Sequence, residues 1–254
     1  MVHRLKKGKH YSYIEVGEGK PLIVLHGLMG GLSNFDAVTE YFSKKGYKVI
    51  IPELPIYDMS LLKTNVKSFA KYLHDFIEFL EFDEVILLGN SLGGHIGLYH
   101  TKLYPKKVKA LVITGSSGLY ESAMGGGYTK RGDYEVIKKK AQDVFYDPEV
   151  ATKAIVDEVY ETVNDRNKLI KTLAIAKSAI RHNMSSDLPK MTLPVCIIWG
   201  KNDGVTPPEV GTEFNELLPN SELFWIDKCG HAAMMEHPHE FNRILNDWMV
   251  SKNI

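Results

Sequence analysis

Val85-Ile86-Leu87-Leu88 is an unbroken apolar run between Asp83-Glu84 and Gly89. A strand with one wet face alternates, so a run of this kind belongs to a strand covered on both sides, as in a parallel sheet. Parallel strands need long crossover connections, usually helices, and the chain supplies them. Strand patterns at 11–16, 21–25, 47–51, 84–89, 108–114, 193–200 and 222–226 alternate with helical patterns at 32–44, 65–81, 92–103, 208–217 and 239–250. Within 65–81, Val66, Phe69, Ala70, Leu73, Phe76, Ile77 and Leu80 recur at three- and four-residue spacing, and Asn65 stands at the N-cap position. The alternation predicts an α/β fold with a mostly parallel central sheet and helices on both faces.

From 118 to 190 the strands drop out. Helical patterns cover 134–145, 148–163 and 168–182, with one apolar stripe of Val156, Val159, Tyr160 and Val163 and another of Leu169, Leu173, Ala176 and Ile180. The segment carries 12 Lys+Arg and 11 Asp+Glu, so it is neither a basic arm nor an acidic tail. The expected organisation is one α/β domain built from 1–117 and 191–254, with 118–190 inserted. That division suits 254 residues, a length between one domain and two. A helical insertion over the carboxyl edge of the sheet would be a lid, because ligands of open α/β sheets bind there. Gly125-Gly126-Gly127 would serve as its strap, or as a plain loop tip.

The charge balance, 31 Lys+Arg against 31 Asp+Glu, lacks the electrostatic footprint of a nucleic-acid binder. Lys6-Lys7, Lys44-Lys45, Lys106-Lys107 and Lys138-Lys139-Lys140 are scattered and read as solvated faces. Cys196 and Cys229 make no disulfide framework, which favours a cytoplasmic location. No apolar run is long enough to span a membrane, and the first residues lack a signal-peptide core. The expected partner is a small-molecule substrate, with no nucleic acid and no membrane; oligomeric state leaves no mark on the sequence.

The chemistry gathers after the strands. Gly89-Asn90-Ser91-Leu92-Gly93-Gly94 lies between the apolar strand and the helix from Leu92, which is G-x-S-x-G in strand–turn–helix context. Such a turn strains Ser91, requires small residues two positions to either side, and presents the hydroxyl at the positive end of a helix. A serine needs a base. Of ten histidines, His231 in Lys228-Cys229-Gly230-His231 directly follows the last strand. Asp203, in Gly200-Lys201-Asn202-Asp203-Gly204, follows the strand before it and would orient the imidazole; alone it reads as an Asn-Asp-Gly turn. The order Ser91, Asp203, His231 is the one expected of this topology.

His26-Gly27-Leu28-Met29-Gly30-Gly31 follows the strand at 21–25. The Leu28 N–H could join that of Leu92 as an oxyanion hole, each donor being worth about 3–4 kcal/mol in the transition state. His26 reads as a buttress of this loop. Met29 and Asn90, beside the donor and the nucleophile, are candidate substrate contacts. His237 and His239 flank Pro238 but have no third ligand cluster, so neither metal nor cofactor is expected.

With these motifs in hand, the chain resembles the α/β-hydrolase superfamily over residues 10–117 and 191–250. The resemblance implies an α/β-hydrolase fold, a nucleophile–acid–base triad of Ser91, Asp203 and His231, and a variable lid in the middle. Dehalogenases and epoxide hydrolases of this fold use an Asp nucleophile, against which Ser91 argues. Gly-Asn-Ser-x-Gly-Gly and Cys229-Gly230-His231 with Glu236-His237 and Glu240-Phe241-Asn242-Arg243 are similar to carbon–carbon bond hydrolases of meta-cleavage products. The chain departs from them at Leu28-Met29, where they carry a polar glycine-rich stretch, and at Ala232, where they carry Trp. Arg131, Arg166 and Arg181 are the lid arginines that could hold a dienoate carboxylate. Glu53-Leu54-Pro55-Ile56-Tyr57-Asp58 replaces the Asp-x-Pro-Gly-x-Gly common in relatives.

The leading expectation is a serine hydrolase that cleaves a small carboxylic ester through an acyl-enzyme. Its pocket would be lined by Leu28, Met29 and Leu92, with Met234 and Met235 nearby. The alternatives are carbon–carbon bond hydrolysis of meta-cleavage type, and ligand binding by a retained hydrolase shell.

Overall fold

Eight strands form one sheet in the order β1-β2-β4-β3-β5-β6-β7-β8, in a computed structural model that describes residues 4–120 and 130–254. The strands are β1 (Lys6–Lys7), β2 (Ser12–Val16), β3 (Lys20–Leu25), β4 (Tyr47–Pro52), β5 (Val85–Asn90), β6 (Val108–Thr114), β7 (Val195–Gly200) and β8 (Ser221–Ile226). β1 and β2 are antiparallel additions at one edge, and all other pairings are parallel. Gly125-Gly126-Gly127 lies outside the described residues.

The apolar run Val85–Leu88 of β5 is covered on both sides. Val85 and Leu87 enter one core, Ile86 and Leu88 the other. β3 does the same, with Ile23 and Leu25 on the first face and Leu22 and Val24 on the second. Each such side chain contributes about 1.5–3 kcal/mol of burial. The first face is covered by α2 (Val66–Phe79), α3 (Leu92–Leu103) and α7 (Pro208–Leu217); the second by α1 (Asp36–Phe42) and α9 (Pro238–Ser251).

The Asn65 side chain caps α2, accepting from Ser68 N at 2.9 Å. The expected helix at 32–44 is broken in two. Phe35 is buried at φ −115°, ψ 18°, which ends a 3-10 turn (Leu32–Phe35) before α1 begins. A short helix, α8 (Ala233–Glu236), also precedes α9, separated from it by the non-helical His237 and restarted by Pro238 at the first helical position.

Between β6 and β7 the chain forms α4 (Tyr134–Gln142), α5 (Lys153–Asn164) and α6 (Arg166–Arg181), capped by Asp133, Thr152 and Asp165. The face of α6 differs from expectation. Leu169, Thr172, Ile175 and Ala179 are buried, whereas Leu173 and Ile180 are exposed. Tertiary partners set this rotation: Ile175 and Ala179 enter the first core, Tyr57 Oη approaches Thr172 Oγ1 (3.5 Å), and Ser178 Oγ accepts from Val66 N (3.3 Å). Among the described residues, no helix is long and apolar enough to cross a membrane.

Candidate active site

Strand order places the site. From β3 the chain steps outward to β4, then returns to β5 on the other side of β3 before moving on through β6, β7 and β8. The crevice beyond the carboxyl ends of β3 and β5 is therefore the topological switch point, where open α/β sheets hold their ligands. Leu25 and Gly89 are paired there, so the His26–Gly31 loop and Ser91 emerge side by side.

Ser91 has φ 53° and ψ −119°, a left-handed, strained conformation for a residue with a side chain. Its N–H donates to Thr114 O (3.1 Å), and its carbonyl accepts from His95 N (3.2 Å) and Ser117 N (3.3 Å). The turn is tight enough that a Cβ at Gly89 would collide with the Gly93–Gly94 backbone, and one at Gly93 with Leu25 O. The two flanking glycines are thus required by close approach.

Asp203 is buried at the end of β7 with all its acceptor capacity used. Oδ1 accepts from Val205 N (2.8 Å) and Thr206 N (2.9 Å); Oδ2 accepts from Thr206 Oγ1 (2.9 Å) and lies 2.9 Å from His231 Nδ1. His231 is itself buried, at 7% exposure, so this contact is shielded from water. Thr206 is fully buried, and its carbonyl accepts from Trp199 Nε1 (3.0 Å). Sequence reasoning missed Thr206; a hydroxyl three residues after the acid was its only signal.

Ser91 and His231 line one cavity of about 320 Å³. Leu28 and Met29 line it too, in a turn closed by Gly30 N donating to Gly27 O (3.2 Å), with Met29 at φ 60°. Leu92 is the first residue of α3, where an N–H has no intrahelical acceptor. His26 sits beneath the turn. Its Nδ1 is 2.9 Å from Gly27 O and its Nε2 accepts from Leu54 N (3.4 Å), so the ring is neutral with its proton on Nδ1. Burial holds its pKa below the ordinary value of 6.5. Through Leu54 it ties the Gly27–Gly30 turn to the 53–58 loop, where Leu54 and Ile56 are packed into the core.

Several expectations about the wall change. The side chains of Leu92 and Met234 point into the two cores, so of the expected apolar residues only Leu28, Met29 and Met235 face the cavity. Asn90 touches it, but its amide donates to Thr114 O (3.0 Å) and His231 O (3.1 Å); these bonds hold the ends of β5 and β6 to the His231 loop. Arg131, Arg166 and Arg181 are exposed and none lines the cavity. The inserted segment supplies Ala141 and Lys140 from α4, Ile155, Glu158 and Val159 from α5, and Asp143, Val144 and Phe145 from the loop between them. Among the described residues Lys140, Asp143 and Glu158 are the charged Lys, Asp and Glu side chains of the wall. Among the described residues no group of three His, Cys, Asp or Glu side chains is placed to hold a metal, and His237 Nε2 bonds Lys228 O (2.9 Å).

Comparison with known proteins identifies the family of the fold. The model of the alpha/beta hydrolase fold family matches residues 20–133 and 134–238. The chain belongs to the α/β-hydrolase family. This hydrolase is 58% identical to MGS-MChE2, an alpha/beta hydrolase enzyme from the metagenome of lagoon sediments of Mar Chica, Morocco (TM-score 0.83, covering 99% of this chain and 100% of that one). It is 28% identical over 252 residues to the 2-hydroxy-6-oxo-6-(2'-aminophenyl)hexa-2,4-dienoic acid hydrolase of Metapseudomonas resinovorans, covering 92% of this chain and 85% of the relative. A 2-hydroxy-6-oxononadienedioate/2-hydroxy-6-oxononatrienedioate hydrolase of Paraburkholderia phymatum is 29% identical over 262 residues, covering 94% and 90%. The fold is shared with the meta-cleavage product hydrolase CumD of Pseudomonas fluorescens IP01 (21% identity, TM-score 0.82, covering 95% and 94%).

Proposed function

We propose that this hydrolase works through Ser91, His231 and Asp203, and that it cleaves a carbon–carbon bond of a 2-hydroxy-6-oxo-dienoate. The observation that supports the chemistry is the 2.9 Å approach of Asp203 to His231, beside a cavity that Ser91 shares. Support for the substrate comes from relatives named for such hydrolysis, which align over more than nine-tenths of this chain, inserted helices included.

In this mechanism Ser91 Oγ attacks the 6-oxo carbon while His231 takes its proton, and the Leu28 and Leu92 N–H groups hold the developing oxyanion. Collapse breaks the bond to C5. The departing electron pair needs a sink, which the 2-hydroxy-dienoate provides once it has tautomerised to its 2-oxo form. A proton from His231 completes the departing fragment, and water then releases the acyl group from Ser91. Helices α4–α6, within a lid spanning 118–190, would keep bulk water from the cavity.

One observation favours a second reading. Arg131, Arg166 and Arg181 stand outside a wall whose charged Lys, Asp and Glu side chains, among the described residues, are Lys140, Asp143 and Glu158, which suits a small uncharged carboxylic ester. The two are separated by comparing 2-hydroxy-6-oxo-6-phenylhexa-2,4-dienoate, followed by loss of its chromophore, with p-nitrophenyl acetate, butyrate and octanoate. The first reading expects kcat/KM for the dienoate to exceed that of the best ester by at least about tenfold, roughly 1.4 kcal/mol of transition-state discrimination. The reverse preference would establish the ester reading. A fluorophosphonate probe should label the wild type and not Ser91→Ala; equal labelling would sink the nucleophile assignment.

A further inference from the structure

Glu236 belongs to a motif with no role in the chemistry above, yet its carboxylate joins two separate parts of the site. Oε1 accepts from Gly230 N (2.7 Å), in the loop that carries His231. Oε2 accepts from Tyr146 N (2.8 Å) and Asp147 N (3.3 Å), in the strap that leaves α4. The two loops touch at a second point, where His231 N donates to Val144 O (2.9 Å). They are packed without slack, since a Cβ at Gly230 would stand 2.7 Å from Val144 O, 2.8 Å from Tyr146 N and 2.9 Å from Phe145 C. Val144 and Phe145 in turn form part of the cavity wall.

We propose that Glu236 is a positioning residue that couples the 144–147 strap, and with it α4, to the loop carrying the base. The inference rests on the assignment of His231 as base. A carboxylate suits this task because its two oxygens accept independently, and bonds to an ionised acceptor are roughly twice as strong as neutral ones. The strap thus adds to the hold that Asp203 and Asn90 already have on His231, and the wall at Val144 and Phe145 is fastened to the His231 loop. Glutamine cannot replace it: one amide oxygen serves one loop, whichever way the amide turns, and the NH2 then faces N–H donors.

The test is Glu236→Gln, assayed with p-nitrophenyl butyrate per fluorophosphonate-labelled site, so that loss of folded protein is not mistaken for loss of positioning. We expect kcat per labelled site to fall about tenfold with KM within about twofold, and amide exchange to accelerate at Gly230 or at Tyr146 and Asp147. Wild-type kcat per labelled site, or unchanged exchange at all three amides, overturns the proposal. Should the variant not fold, the wild type decides. Its Gly230, Tyr146 and Asp147 amides should share one protection factor within about threefold; a protected Gly230 beside freely exchanging 146 and 147 overturns it. A wild type that is never labelled at Ser91 refutes the triad instead, and the exchange comparison still tests the coupling.

Discussion

At the scale of single residues, the carboxylate proposed as the acid is held more tightly than its contact with His231 alone would hold it. Asp203 accepts three hydrogen bonds besides the one to His231, and the Thr206 hydroxyl shares the oxygen that faces the imidazole. Bonds to charged groups contribute about 1.5–3 kcal/mol. Thr206→Val should therefore lower kcat roughly tenfold to hundredfold with little change in KM, while Thr206→Ser should stay near wild type. Steady-state kinetics on the three proteins checks this, and equal activity of the Val variant would show that the hydroxyl is idle. The proposed triad stood out in the sequence because each member follows a strand in a short motif. Thr206 was not, because a threonine in a loop declares itself only when its hydroxyl is seen against the carboxylate. Asn90 has a part that the sequence did not show: it touches the cavity beside Ser91, and its amide also holds the frame.

Among elements, the sheet was legible and the inserted helices only in part. Every strand from β2 to β8 was anticipated to within two residues at either end, and for β3 to β7 the reason is that double-sided burial demands apolar runs. A helix on a surface of mixed contacts carries no such demand. In α6 the pattern of large apolar residues pointed to Leu173 and Ile180, but packing against Tyr57, Val66 and the first core turned Thr172, Ile175 and Ala179 inward. For the same reason the cavity wall could not be read from 118–190. Ile175→Ala should destabilise the protein by about 2–5 kcal/mol, whereas Leu173→Ala and Ile180→Ala should each stay within about 0.5 kcal/mol. Urea denaturation of the three variants decides which stripe faces the core.

For the whole molecule, buried histidines make stability depend on pH. Burial lowers His26, and lowers His95 and His100 to about 3; His182 adds to the effect at His95, His74 and Lys107 at His100. Neither ring nitrogen of His100 has a hydrogen-bond partner among the described residues. A histidine depressed in the folded state stays neutral there while the unfolded chain takes up a proton below pH 6.5. Its contribution is complete above that value and is lost as pH falls toward the folded pKa. Each such histidine removes about 1.4 kcal/mol per pH unit within this window. Unfolding free energies measured between pH 7 and pH 5 should therefore decline, and decline less steeply in His100→Leu. An unchanged slope in that variant would contradict the assignment.

The insertion between β6 and β7 has a consequence for synthesis. Leu111 pairs with Val195 and Thr114 with Ile198, so β6 meets its neighbour only after roughly 80 further residues have been made, about 4–16 s at ribosomal speed. Until then β6, apolar on both faces, is the open margin of a half-built sheet and offers unpaired backbone to any other nascent chain. The inserted helices are thus also the delay during which a folding intermediate stands most in need of a chaperone.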